Sequence, residues 1–119
     1  MQATNGRLVL SPTDLNDYVE CAHLTTLSRE LGAGGRRRPH VREDHADLLR
    51  RKGDEHEAAY LDGLIAAGKS VLQLPRDGNF DANSAATADA IRDAIHDVIY
   101  QACVAHDGWR GYADFLERQ

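Results

Sequence analysis

Two spacings mark where this chain could do chemistry, Gly53-x-x-His56 and Gly111-x-x-Asp114. His56 falls seven residues after Leu49 and four before Tyr60, so on a helix it shares their face. Gly53 lies on the same face, and a glycine inside a helix costs about 1 kcal/mol relative to alanine. That cost implies close approach of a ligand or a crossing strand. The plainer reading, which spacing alone favours, is a core histidine bonded to a carbonyl beside a packing glycine. On a strand, Asp114 shares a face with Arg110, Tyr112 and Leu116. A buried carboxylate is costly unless it is paired or binds metal. Arg110 offers a plain salt bridge. The alternative is a ligand for Mg²⁺ or Mn²⁺, hard cations that take one or two protein carboxylates with water and substrate phosphate. Gly111 weakens its strand and marks close approach by a ligand or another backbone.

Cys21, within YVECAHL, is a third candidate, although a lone cysteine is most often a small buried hydrophobe. Cys103 sits in an apolar run, and no C-x-x-C pair exists, so a complete zinc or iron–sulfur site within this chain is not expected. The fourth candidate is the basic tract Arg36, Arg37, Arg38, Arg42, Arg50, Arg51 and Lys52, which could touch phosphates or form a solvated face. From Arg36 to Lys52 seven basic residues stand against three acids, a local +4 in a chain of net charge −5. That overall charge argues against gripping nucleic acid by bulk charge alone.

These residues need a scaffold. With 119 residues, 42% apolar and 28% charged, the chain fits one ordinary domain at most, with a core built from aliphatic side chains. No apolar run reaches the ~20 residues of a membrane helix, no signal-peptide pattern opens the chain, and two cysteines make no disulfide framework. The expectation is a cytoplasmic protein with no membrane partner.

Residues 7–10 read as a strand. Ser11, Pro12 and Asp14 open a helix that runs toward Leu31 on a stripe of Leu15, Tyr18, Val19, Ala22 and Leu27. GAGGRRRPH breaks it. A second helix spans about Glu43 to Ala67, capped by Gly68, with Val41, Leu48, Leu49, Ala59, Tyr60, Leu64 and Ile65 as its apolar pattern. SVLQL is a strand, PRDGN a loop, and residues 84–97 a third helix. Val98–Ala105 and Trp109–Glu117 are strands joined at Asp107-Gly108, a two-residue hairpin signal. Both are apolar enough to be expected at the centre of a sheet, covered on both faces. The order is β-α-α-β-α-β-β, a mixed α/β arrangement.

Three segments in order, LSPTDL…ECAHL, RKGDEHEAAYL and VIYQA…WRGYADFL, resemble the N-terminal portion of RecB-like nucleases in the PD-(D/E)XK superfamily, within a bacterial branch. The resemblance spans about Leu10 to Leu116. It implies a restriction-endonuclease-like mixed sheet flanked by helices, incomplete here, forming the first part of a single nuclease domain. It implies that His56 and Asp114 are catalytic metal-site residues for Mg²⁺ or Mn²⁺, with DNA, single-stranded or at its ends, as substrate. It makes Cys21 the early ligand of a [4Fe–4S] cluster in a longer protein. Arg36, Arg37, Arg38, Arg42, Arg51 and Lys52 become nucleic-acid contacts. Family members carry an E-x-K on the next strand, which these 119 residues lack, so the chain alone is expected to be inactive. Its cut sheet is expected to self-associate through an exposed edge. Two other readings stand beside this one. One is a non-catalytic nucleic-acid-binding or assembly module. The other is a helical adaptor in which His56 and Asp114 are structural.

Overall fold

A computed structural model describes residues 1–39 and 44–119. Val41, Arg42 and Glu43, invoked above, lie outside the described residues. The fold is mixed α/β, with four helices and two small sheets among the described residues. The chain divides into two compact units, Met1–His40 with Ala105–Gly111, and Val41–Val104 with Tyr112–Gln119. Among the described residues no helix is long and apolar enough to cross a membrane.

The first unit begins with an antiparallel hairpin of β1 (Gln2–Thr4) and β2 (Arg7–Val9). Asn5 and Gly6 both take positive φ, 51° and 72°, the geometry of a two-residue hairpin turn. The Asn-Gly signal was present in the sequence, yet the reading above places only one strand here. Leu10 then bridges to Trp109, donating to the Gly108 carbonyl at 2.9 Å and accepting from the Arg110 amide at 2.8 Å.

α1 (Pro12–Glu20) starts as expected. The Ser11 amide and hydroxyl donate to Asp14 at 2.7 and 2.6 Å, and the Met1 ammonium donates to its other oxygen at 2.6 Å. Burial pushes the Asp14 carboxyl up, but these donors outweigh it and hold it below the ordinary 3.8. The single long helix is corrected to two, because Cys21 is extended (φ −159°, ψ 109°) and separates α1 from α2 (Ala22–Gly32). The stripe is corrected as well. α1 turns Asp14 and Asp17 inward, and Leu15, Tyr18 and Val19 remain exposed.

In the second unit, α3 (Asp44–Ala66) turns Glu57, Leu61 and Leu64 inward, three positions in one row at spacings of four and three. The expected stripe through Leu48, Leu49 and Ile65 is largely exposed, Leu49 at 73%. A short strand, β3 (Val71–Gln73), leads through α4 (Phe80–Asp93) to β4 (Val98–His106), and β3 and β4 pair in parallel. α4 lies about four residues earlier than the sequence suggested. Asn79 caps it by accepting from the Ala82 amide, and Ala94 ends it in a left-handed conformation. Asp97 then joins Ser70, with backbone and side-chain bonds of 2.9 Å each way.

β5 (Trp109–Glu117) follows the Asp107-Gly108 turn, whose φ values of 44° and 81° fit the expected hairpin. So short a connection makes β4 and β5 antiparallel. The sheet order is β3-β4-β5, which corrects one expectation: β4 is central, but β5 is an edge with Tyr112 exposed. Leu74, Ile99 and Ala102 form the core of this unit, with Leu72, Ala86, Ala90, Ala113 and Leu116 packed on it. The alanines let α4 lie close to the sheet. Buried Thr87 ties the two together, donating to the Asn83 carbonyl at 2.8 Å and accepting from the Cys103 amide at 3.1 Å.

Candidate functional site

Regular alternation would put Ile99 and Gln101 on one face of β4 and Tyr100 and Ala102 on the other. The structure does otherwise. Ile99 and Ala102 both belong to the core packed with α4, while Tyr100 and Gln101 both reach α3. The slip occurs at Gln101, whose φ of 60° lies in the left-handed region within a strand. A non-glycine residue there costs about 1–2 kcal/mol. β5 slips in the same way. Ala113 and Leu116 face the core, and the residues between them, Asp114 and Phe115, line a cleft with α3. This separates Asp114 from Leu116, which strict alternation had placed on one face.

The cleft holds about 610 Å³ and is lined by Arg50, Gly53, Asp54, His56, Glu57 and Tyr60 of α3 with Asp114 and Phe115 of β5. His56 and Asp114 therefore share one cavity, and both are exposed. An exposed His56 is not the core histidine that its spacing favoured. A side chain added at Gly53 would meet no protein atom within 4 Å. No crossing strand needs that glycine. Phe115, also lining the cleft, packs edge-on against Tyr60, with ring centroids 4.7 Å apart. The Tyr60 hydroxyl donates to Glu117 at 2.6 Å.

The best-connected acid in the cleft is one the sequence reading missed. Arg76, in the loop after β3, donates through Nη2 to both oxygens of Glu57 at 2.8 Å and through Nη1 to Asp54 at 3.0 Å. The Tyr100 hydroxyl and the Gln101 amide nitrogen also donate to Glu57. Burial raises the Glu57 carboxyl, but the donors from Tyr100, Arg76 and Gln101 outweigh it, so it sits below the ordinary 4.5. The same bond, with burial, lifts the Tyr100 phenol above 10.0. Gln101 makes a second contact through the same nitrogen, 3.5 Å from Asp114 Oδ1. Two carboxylates can only accept, so the NH₂ end of the amide must face them. Glu57 could have been noticed as the acid four residues before Leu61 and seven before Leu64, and Gln101 as the lone amide in VIYQACVA.

The remaining candidates belong to the first unit, to β4 or to α3. Cys21 is exposed at the α1–α2 junction, and Cys103 is buried, its thiol pushed up by that burial. One exposed thiol does not fit a [4Fe–4S] cluster, which takes four cysteine ligands. Arg36 pairs with Glu30 at 2.6 Å, and Arg37 and Arg38 are exposed in the same loop. On α3, Arg50 pairs with Asp47 and Lys52 with Glu55, both at 2.7 Å, while Arg51 is exposed.

Among the described residues no three His, Cys, Asp or Glu side chains cluster as a ready metal cage. Glu57 is saturated by its own donors. Besides Glu57, the cavity presents the carboxylates of Asp114 and Asp54, the latter paired with Arg76, and the imidazole of His56. Such a set fits an ion that keeps most of its water and takes few protein ligands, as Mg²⁺ and Mn²⁺ do. It does not fit a closed tetrahedral zinc site. No family model matches the chain, nor does any curated protein or solved structure.

Proposed function

We propose that this chain is the first part of a metal-dependent DNA nuclease of the RecB-like kind, with β3, β4 and β5 as the start of a restriction-endonuclease-like sheet. One observation carries the reading: His56 from α3 and Asp114 from β5 line the same cleft. Charge supports it. Asp54, Glu57 and Asp114 line the cleft with Arg50, and Arg76 offsets Asp54 and Glu57, so the lining keeps a modest acidic excess that draws a divalent cation. When bound, such an ion activates water and stabilises charge on the phosphoryl oxygens. Asp114 supplies the oxygen ligand. His56 would be a weaker partner for such an ion, because imidazole is a softer donor than Mg²⁺ favours. Arg50, Arg51 and Lys52 on α3 supply phosphate contacts, Arg36, Arg37 and Arg38 of the first unit are separate candidates for the same role, and a DNA substrate makes the cytoplasm the working compartment. A cluster on Cys21 requires three cysteines from beyond residues 1–119.

So few protein ligands hold Mg²⁺ weakly, and little or no cleavage is therefore expected of these 119 residues by themselves; in the family the chain resembles, an E-x-K strand completes such a site. A non-catalytic nucleic-acid-binding or assembly module is the second reading, favoured by the absence of a three-ligand cluster among the described residues.

Paramagnetic broadening by Mn²⁺ tests the proposal. Resonances of His56 and Asp114 should broaden first, and Asp114→Asn should abolish the effect. Broadening centred elsewhere would favour the second reading. Robust DNA cleavage by the chain alone, lost in Asp114→Ala, would overturn the claim that the site is incomplete.

A further inference from the structure

Gln101 is the least comfortable residue in its strand. It is 5% exposed, it has a positive φ, and its amide nitrogen faces two carboxylates. Backbone strain of this kind survives only where the surroundings impose it, and it concentrates at functional sites. The side-chain contacts around Gln101 aim its amide. Arg76 fixes Glu57 from the loop side, Tyr100 fixes it from the neighbouring position in β4, and Glu57 fixes one hydrogen of the Gln101 NH₂. The second hydrogen is then turned toward Asp114 Oδ1 across 3.5 Å, a long contact at the outer limit of a hydrogen bond.

We propose that Gln101 is a positioning residue for the Asp114 carboxylate, oriented by the Arg76–Glu57 pair and held in place by the strand slip at its own backbone. The inference rests on the metal-site reading for its purpose, but the geometry it asserts is independent of metal. Without the slip, Gln101 would point toward the α4 core, where an amide has no place. With it, the NH₂ bridges two carboxylates, separates their charges and selects one rotamer of Asp114. Partners that orient a metal's ligands typically change metal affinity by about 10–100-fold when removed.

Gln101→Gly separates this role from a purely structural one, because glycine accepts the positive φ without strain while losing the amide. Two readouts apply to the wild-type chain and the variant, with chemical denaturation run in parallel. The first is the χ1 of Asp114, from side-chain scalar couplings. The second is Mn²⁺ affinity, from water-proton relaxation. A single Asp114 rotamer in the wild type should become averaged in Gln101→Gly, and Mn²⁺ affinity should fall about 10-fold while the variant stays folded. Gln101→Asn, which also tolerates the left-handed region but is one methylene too short to bridge, should behave alike. An unchanged Asp114 rotamer in a folded Gln101→Gly would overturn the positioning role. A wild-type chain that binds no Mn²⁺ near Asp114 would instead count against a metal role for these residues on their own, and the couplings would still decide whether Gln101 orients Asp114.

Discussion

Arg76 contacts both carboxylate oxygens of Glu57 at 2.8 Å, and the pair is lopsided: Glu57 is 13% exposed and Arg76 55%. Removing the arginine leaves a mostly buried carboxylate to be satisfied by Tyr100 and Gln101 alone. Arg76→Ala should destabilise the chain by about 1–3 kcal/mol, the range for depriving a buried polar group of a partner. Glu57→Gln removes one acceptor oxygen from the Arg76, Tyr100 and Gln101 donors and should also destabilise the chain. Urea unfolding of both single variants and the double variant gives the coupling directly.

The same pair sets a pH dependence. The Glu57 carboxyl is depressed in the folded chain, so its stabilising contribution is complete above the ordinary 4.5 and disappears as pH falls through the lower folded value. Wild type should therefore exceed Glu57→Gln in unfolding free energy at pH 7, and the gap should narrow steadily below about pH 4.5. A gap that stays constant down to pH 2 would show that the ionised form of Glu57 is not what matters. Asp14 also contributes to acid lability, but equally in both chains, so the difference isolates Glu57.

Asp14 makes its own prediction. Its carboxylate accepts from the Ser11 amide and hydroxyl at the start of α1, and it is 8% exposed. Asp14→Ala should cost about 1–2 kcal/mol, as the loss of a helix cap does, and should selectively lower amide protection over Pro12–Glu20.

What was legible in the sequence follows from how local each signal is. The Asp107-Gly108 turn was readable because its backbone demand, positive φ at two successive residues, is met by few dipeptides. Asn5-Gly6 carried the same signal. Leu15, Tyr18 and Val19 were a true helical stripe, but periodicity does not say which face is buried. On α1 that was decided by Asp14 and its donors. His56 and Asp114 could be named from spacing. Their shared cleft could not, because it depends on slips at Gln101 and at Asp114–Phe115 that satisfy a core on one side and a helix on the other. Glu57 was hidden for the same reason, since an acid in an inward row acquires meaning only when Arg76 arrives from a distant loop.

β5 is the edge of its sheet, and Tyr112 upon it is 62% exposed. Leu10 bridges the start of this edge at Trp109, and the part beyond it, with exposed aromatic surface, invites strand pairing with another copy. Sedimentation velocity should show concentration-dependent association of the chain, reduced in Tyr112→Lys. That substitution also removes the edge-on contact between Tyr112 and Phe80, whose ring centroids are 5.3 Å apart, so unfolding is measured alongside. A sharp monomer peak at high concentration would exclude the edge as a sticky surface.

Gly53 separates a packing glycine from one kept clear for something outside the protein. It lies within α3 and lines the cleft, and a side chain there would meet no protein atom within 4 Å. If packing were its purpose, alanine would collide and destabilise. The open surroundings predict the reverse: Gly53→Ala should stabilise the chain by about 0.5–1 kcal/mol, the ordinary helix preference of alanine over glycine. A glycine that sacrifices stability beside His56 and opposite Asp114 leaves room for a bulky group against the helix backbone. A DNA strand is such a group. Gly53→Ala should therefore weaken binding of a fluorescent single strand in the presence of Mn²⁺ while raising the urea midpoint. Unchanged anisotropy titrations in the more stable variant would mean that no strand lies against this turn of α3.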